Sequence, residues 1–249
     1  MLATALKNTI KRTGFTIVRV RPDVEFRSDY YTRHNARRLE HLASLHIAVA
    51  GKTVLEVGAG IGDHSHYYLD RGCRMTITEG RNENVQYLRD RYTGADIRHL
   101  DMDNPAPLDG SPFDTVHCYG LLYHLRTPEG AIGFMARNCK GVLLLETCVS
   151  FGSHQSVNPV AEEVSNPTQA VSGTGCRPTR PWIFNRLKEH FPNVYVPRTQ
   201  PNHGEFPIDW TAPQLHHDGL SRAIFVASRT PLDNPLLSSE LLDKQTRHE

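Results

Sequence analysis

Val54-Leu-Glu-Val-Gly-Ala-Gly-Ile-Gly-Asp-His64 is the stretch that decides the fold. An apolar strand runs into Gly58, Gly60 and Gly62, and a helix is expected from Asp63 at once. Glycines let a backbone turn sharply and approach a ligand, and the free amides opening a helix attract negative charge. The spacing is GxGxG, whereas the dinucleotide fingerprint GxGxxG would need a glycine at position 63.

Working outward, strand and helix alternate. KTVLEV (52–57), RMTITE (74–79), DIRHLD (96–101), FDTVHCY (113–119) and GVLLLET (141–147) read as strands, with helices over 63–71, 82–92 and 127–138. Strands alternating with helices of this length predict right-handed βαβ units and a parallel sheet. Residues 150–180 are rich in Ser, Gly, Pro and Asn and read as a functional loop. Thr179 and Pro181 then open a helix, and NVYVP (193–197) and SRAIFVAS (221–228) read as closing strands around a turn-rich stretch, 198–217. Upstream, Leu2, Leu6 and Ile10 form an apolar stripe, Phe15–Val20 reads as a strand, and Tyr30–Leu45 has helical spacing. The organisation expected is a helical arm and cap over 1–45, a main domain over 46–230 and a loose tail over 231–249.

Composition sets the outer bounds. The 249 residues are 39% apolar and 22% charged with a net charge of +1, which excludes intrinsic disorder and a disulfide mini-protein. Cys73, Cys118, Cys139, Cys148 and Cys176 are odd in number and lack a CxxC pair, as expected of reduced thiols in a cytoplasmic protein. No apolar run reaches the roughly 20 residues of a membrane span, and Lys7, Lys11 and Arg12 interrupt any secretion signal. Nine basic residues against four acidic in the first 40 leave two readings of that arm. It packs on the domain or on a second copy in a homodimer, or it makes weak contact with an anionic membrane surface.

Three further features are in register with the glycine turn. Glu79 ends the second strand, where a carboxylate accepts hydrogen bonds from both ribose hydroxyls of a nucleoside. Asp101 ends the third, where it would receive an adenine amino group while Met102 packs beside the ring. Cys118-Tyr-Gly-Leu-Leu-Tyr-His124 closes the fourth strand at the same carboxyl edge, where open α/β sheets bind ligands.

These residues resemble the class I S-adenosylmethionine-dependent methyltransferases. LEVGAGIG is similar to their first motif, TEGR (78–81) to the second, LDMD (100–103) to the third and FDTVHCYGLLYHL (113–125) to the fourth. The resemblance spans about residues 50–148. It implies a Rossmann-like seven-stranded, mostly parallel sheet with helices on both faces and an antiparallel last strand. It further implies S-adenosylmethionine as cofactor, with Glu56, Gly58, Gly60 and Gly62 cradling its methionine part. Glu79 and Gly80 would hold the ribose, Asp101 and Met102 the adenine, and Tyr119 and Gly120 the backbone beside the sulfonium.

A sulfonium methyl is already activated, so such an enzyme aligns the nucleophile and, for a hydroxyl, removes its proton. Histidine suits that task, and of fourteen histidines His124 and His203 are the candidates, with His64 also near the first motif. Asp63, His64 and His66 face different ways on one helical turn, so no metal is expected. Arg180, Trp182 and Trp210 lie in or beside the polar loops and are the candidate substrate residues. Aromatic rings with hydrogen-bonding neighbours suit a sugar or a planar ring.

LKNTIKRTGFTIVRV resembles stretches preceding methyltransferases of glycan assembly. The expected reaction is therefore O-methylation of a glycan or small metabolite. Two alternatives stay open. YGLLYHL also resembles a stretch of tRNA wobble-uridine modifying enzymes, against which the near-zero charge speaks. The other is a non-catalytic scaffold with this fold. The Arg33–Arg38 stretch is positioned to reach the methionine carboxylate.

Overall fold

Strands covered on both faces read as near-continuous apolar runs, and this chain lays down four largely buried strands with a more exposed fifth, 96–99, among them. The computed structural model describes residues 22–249. Helices α1 (Asp23–Phe26) and α2 (Asp29–Ser44) lead into β1 (Thr53–Val57), α3 (Ser65–Leu69), β2 (Arg74–Glu79), α4 (Asn82–Arg91) and β3 (Asp96–His99). Then come β4 (Phe113–Tyr119), α5 (Pro128–Arg137), β5 (Cys139–Cys148), β6 (Pro159–Ala161), β7 (Thr174–Cys176) and α6 (Arg180–His190). The chain closes with β8 (Asn193–Pro197), β9 (Thr199–Gln200), β10 (Arg222–Ser228), β11 (Leu237–Ser238) and β12 (Thr246–Arg247).

The main sheet has the order β11-β8-β10-β5-β4-β1-β2-β3, with β1 to β5 parallel and β10 antiparallel to both β5 and β8. This is the seven-stranded sheet the sequence implied, with the short β11 added as an eighth strand at the edge. Side chains alternate across it. Val54, Ile77 and Leu144 pack with Leu42 and Leu45 of α2, Tyr68 of α3 and Leu88 of α4. Leu55, Val116 and Leu145 face the other way, onto Ile132 of α5 and Ile183 and Leu187 of α6. Each such side chain, fully buried, stabilises the fold by about 1.5–3 kcal/mol.

Three expectations change. The helix after the glycine turn is short, because residues 62–64 are still turning: Ser65 N donates to Gly62 O at 3.2 Å and Tyr67 N to His64 O at 3.0 Å. Residues 150–180 are not wholly irregular, since β6 and β7 pair antiparallel and Ser150 bridges to Thr179. The stretch after Pro231 is not loose. β11 pairs with β8, β12 runs parallel to β9, Leu237 and Gln245 are buried, and Asn234 Nδ2 donates to Leu45 O at 2.8 Å. The Leu2–Ile10 stripe and the Phe15–Val20 strand lie outside the described residues. All five cysteines are buried and free, and among the described residues no helix is long and apolar enough to cross a membrane.

Candidate active site

The carboxyl ends of β1, β2, β3 and β4 open onto one crevice, divided by the glycine turn. Gly60 adopts φ +59°, and a Cβ there would sit 2.9 Å from the Phe26 ring, so only glycine fits this left-handed position beneath α1. Gly58 and Gly60 border both halves of the crevice, and Gly62 closes the turn by accepting from the Tyr92 hydroxyl at 2.6 Å.

The first half gathers Glu79, Gly80, Asp101 and Met102. Parallel pairing of β2 and β3 brings Glu79 beside His99, and Leu100 N donates to Glu79 O, so both acidic strand ends share one wall. The buried Glu79 carboxylate accepts from Gly60 N at 2.9 Å and Arg81 N at 3.0 Å, which fixes it against the turn. Asp101 is exposed and Met102 is buried behind it. Residues 167–171 cross over this half, held by Arg81 Nη2 on Gln169 O (3.0 Å) and Asn84 Nδ2 on Pro167 O (3.3 Å).

The second half is lined by Arg38, Glu56, His64, His117, Tyr119 and Gly120, among others. Glu56 accepts from Ser65 Oγ at 2.6 Å, and burial pushes its carboxyl up to about 7. His64 Nδ1 faces His117 Nε2 at 3.2 Å, and the Tyr68 hydroxyl meets His117 Nδ1 at 2.8 Å. Burial holds His64 well below the usual histidine value and His117 down to about 3, so both are neutral. His64 Nε2, the Tyr119 hydroxyl and Arg38 Nε are buried without a hydrogen-bond partner among the described residues. Orphaned polar atoms of this kind in a crevice fit a zwitterionic ligand that would satisfy them.

A third cavity of about 220 Å³ adjoins the second half through Tyr31, Tyr123, His124 and Arg222. His124 borders all three compartments. Its Nδ1 is bonded to Glu162 Oε2, and that carboxylate also accepts from Ala170 N at 2.7 Å and lies 3.4 Å from Arg177 Nη1. Burial holds His124 below the usual histidine value, against the pull of Glu162.

Beneath this cavity a charged network missed in the sequence reading crosses the sheet. Arg38 and Arg222 share Glu146, at 2.7 and 3.2 Å, and Arg222 Nε also meets Glu205 at 2.6 Å. All four are buried. One signal was present: Glu146 sits inside the apolar run LLLET, and a charge within a buried strand needs a partner. Glu162 left no such trace in its polar loop.

The other sequence candidates are placed differently. His203 lies against His34 and Glu205 and borders none of the three compartments. Trp182 is buried in the core between α5 and α6. Arg180 stacks 4.0 Å over the Trp210 ring and donates to Leu242 O, while Trp210 Nε1 donates to Gln245 at 2.8 Å. Arg180 and Trp210 thus bind the C-terminal segment, and none of the three lines the crevice. Large rings and a guanidinium near a polar loop packed inward, where their area and donors were satisfied. Asp63, His64 and His66 point apart, to Arg91, His117 and Tyr92 respectively.

A glycine-turned parallel sheet with acidic strand ends and a closing antiparallel strand defines the class I methyltransferase architecture. The profile of a methyltransferase domain family matches residues 27–215, and the chain belongs to that family, with S-adenosylmethionine as methyl donor. A curated relative, the tRNA U34 carboxymethyltransferase of Haemophilus influenzae, is 33% identical over 144 residues, covering 54% of this chain and 42% of that protein. The enzyme of the same name from Mannheimia succiniciproducens is 30% identical over 182 residues, covering 69% and 53%. The chain thus spans about half the length of the curated relatives it matches. Among solved structures, the N-terminal domain of EvdMO1 with SAH bound superposes with a TM-score of 0.59 at 22% identity, over 81% of this chain and 84% of that one. The Burkholderia thailandensis 1,6-didemethyltoxoflavin-N1-methyltransferase gives 0.51 at 19% identity, over 82% of each.

Proposed function

We propose that the chain transfers a methyl group from S-adenosylmethionine to a hydroxyl of a small polar acceptor, such as a sugar unit of a glycan or a small metabolite. The observation that carries this reading is the His124–Glu162 pair at the meeting point of the three compartments. Bound S-adenosylmethionine supplies an activated methyl, which leaves the protein to orient the acceptor and accept its proton. With Nδ1–H donated to Glu162, His124 keeps the Nε2 lone pair for that proton, and burial keeps the ring neutral. Glu79 and Asp101 would receive the nucleoside. Glu56, Tyr119 and the glycine turn would cradle the methionine part, with Arg38 and His64 offering unused donors there. Tyr30, Tyr31 and Arg177 give the third cavity hydroxyls and a cation, which suit an acceptor rich in hydroxyls.

The test is methyl-labelled cofactor with fractionated low-mass and glycan pools. Label in an acceptor hydroxyl, absent with His124→Ala, supports the reading. A second reading, an RNA acceptor, is favoured by the tRNA-modifying relatives. Label entering tRNA, with salt-sensitive tRNA binding in a shift assay at two salt concentrations, would replace the first reading.

A further inference from the structure

We propose that His34, His203 and Glu205 bind one divalent transition-metal ion of the zinc type, at a site beside the third cavity. One potential ligand atom from each of the three lies within 4.8 Å of the others. His34 Nε2 is 3.8 Å from Glu205 Oε2, and the two imidazole rings stand 4.9 Å apart between centroids. A tetrahedral ion with metal–ligand distances of about 2 Å needs its ligand atoms about 3.3 Å apart, so a small inward movement closes the set.

The argument against a plain structural role rests on His34. It is fully buried, yet neither ring nitrogen has a hydrogen-bond partner among the described residues. A buried imidazole left this way is destabilising unless something engages it. Arg222 Nε at 2.6 Å and the Tyr30 hydroxyl hold the Glu205 carboxylate in place beside the two rings. Two neutral imidazoles and one carboxylate are the donor set of zinc sites that keep a coordination position open.

The scaffold around the three is firm. His34 is set by α2, and the turn carrying His203 and Glu205 is clamped by Arg247 Nη1, which donates to Pro201 O at 2.9 Å and His203 O at 2.8 Å. The Glu205 amide makes only a 3.3 Å contact to His203 Nδ1, which ligation would replace. Arg222 does not close the site, since Glu146 shares its charge at 3.2 Å and ligating carboxylates are commonly held by further hydrogen bonds. Tyr30 and Arg222 both touch Glu205 and both line the third cavity, so the ion would sit one side chain behind its wall.

The experiment titrates the full chain, stripped by chelator, with Zn²⁺ in a calorimeter, without methyl donor or acceptor. Metal content is measured after dialysis. One ion per chain is expected, with affinity reduced at least tenfold in His203→Gln and unchanged in the half-buried control His190→Gln on the far helix end. Co²⁺ bound to the unsubstituted chain reads the ligands directly, by a visible absorption band of low-symmetry His/carboxylate coordination. Zinc uptake equal in wild type and His203→Gln would overturn the proposal, as would the absence of that cobalt band. Because neither readout involves methyl transfer, failure here leaves the proposed reaction standing.

Discussion

Arg38 Nη2 lies 2.7 Å from Glu146 Oε2, tying helix α2 to the carboxyl half of β5 directly below the crevice. The same guanidinium stands against Gly120, where φ is +84° and a Cβ would come within 3.3 Å of Nη1. The roof over the second half of the crevice is thus anchored by a buried charge rather than by apolar packing alone. Glu146 serves two arginines at once.

Removing the shared partner should cost more than removing one arginine. Glu146→Gln leaves the buried Arg38 without a carboxylate and Arg222 with Glu205 alone, and is expected to lower stability by about 3–5 kcal/mol. Arg38→Gln leaves Glu146 still paired with Arg222 and should cost less. Urea unfolding of both variants checks the order, and equal losses would contradict it.

Glu79 has a structural role and a proposed binding role that a mutation should separate. Glu79→Ala strands the amides of Gly60 and Arg81, costing about 2 kcal/mol, and should weaken S-adenosylmethionine binding at least about tenfold. Glu79→Gln keeps one acceptor oxygen for two amides and should recover part of the stability but not the affinity. Thermal melts and calorimetric titration read the two effects independently.

For His124, the expected loss in kcat is roughly 10²–10⁴-fold in His124→Ala with cofactor affinity retained. The neutral ring is the active form, so the rate should fall as pH drops through a value below the ordinary histidine pKa. In the proposed reaction Glu162 would act through His124 as a positioning residue. Losing its carboxylate in Glu162→Gln should move the acidic limb to still lower pH, a shift that damaged packing alone would not produce.

Glu56 gives a pH signature of its own. Its carboxyl is raised to about 7 by burial, so between the usual carboxylate range and pH 7 the folded chain holds a proton the unfolded chain has lost. The resulting stability is present at acid pH and declines as pH rises through about 7, by about 1.4 kcal/mol per unit. The advantage of wild type over Glu56→Gln should therefore shrink by about 2 kcal/mol from pH 5 to pH 7.5. A constant difference in denaturant midpoints would place the ionisation elsewhere.

How far the sequence spoke depended on the range of the forces involved. β1, β2, β4 and β5 were legible because their runs are largely apolar and buried, and the half-exposed β3 by its place in the alternation, while the glycine turn and Glu79 stood out because backbone conformation and strand ends are local properties. Glu162 reaches His124 across 38 residues and His203 reaches His34 from another element, so neither pairing has a local trace. β11 and β12 are two residues each, too short for any periodicity, which is why Gln245 and Arg247 read as solvated. Arg180, Trp182 and Trp210 misled because their neighbours in sequence are polar while their neighbours in space are core.

Ending the chain after Thr230 should accordingly be costly. It exposes the surface covered by Leu237 and removes the hydrogen bonds of Asn234, Gln245 and Arg247. A fall in melting midpoint of at least about 5 °C is expected, and an unchanged midpoint would show these contacts to be idle.

The bond from Asn234 to Leu45 joins positions 189 residues apart, and Arg247 pins the turn that carries His203 and Glu205. During synthesis the Glu79–Asp101 half of the crevice has all its lining residues once Val171 has emerged, while Arg222 of the other two compartments comes later, and the segment clamping the turn behind it later still. A ribosome stalled between Val171 and Arg222 would hold one half of the crevice complete in sequence while the shared charge of Arg222 had yet to arrive.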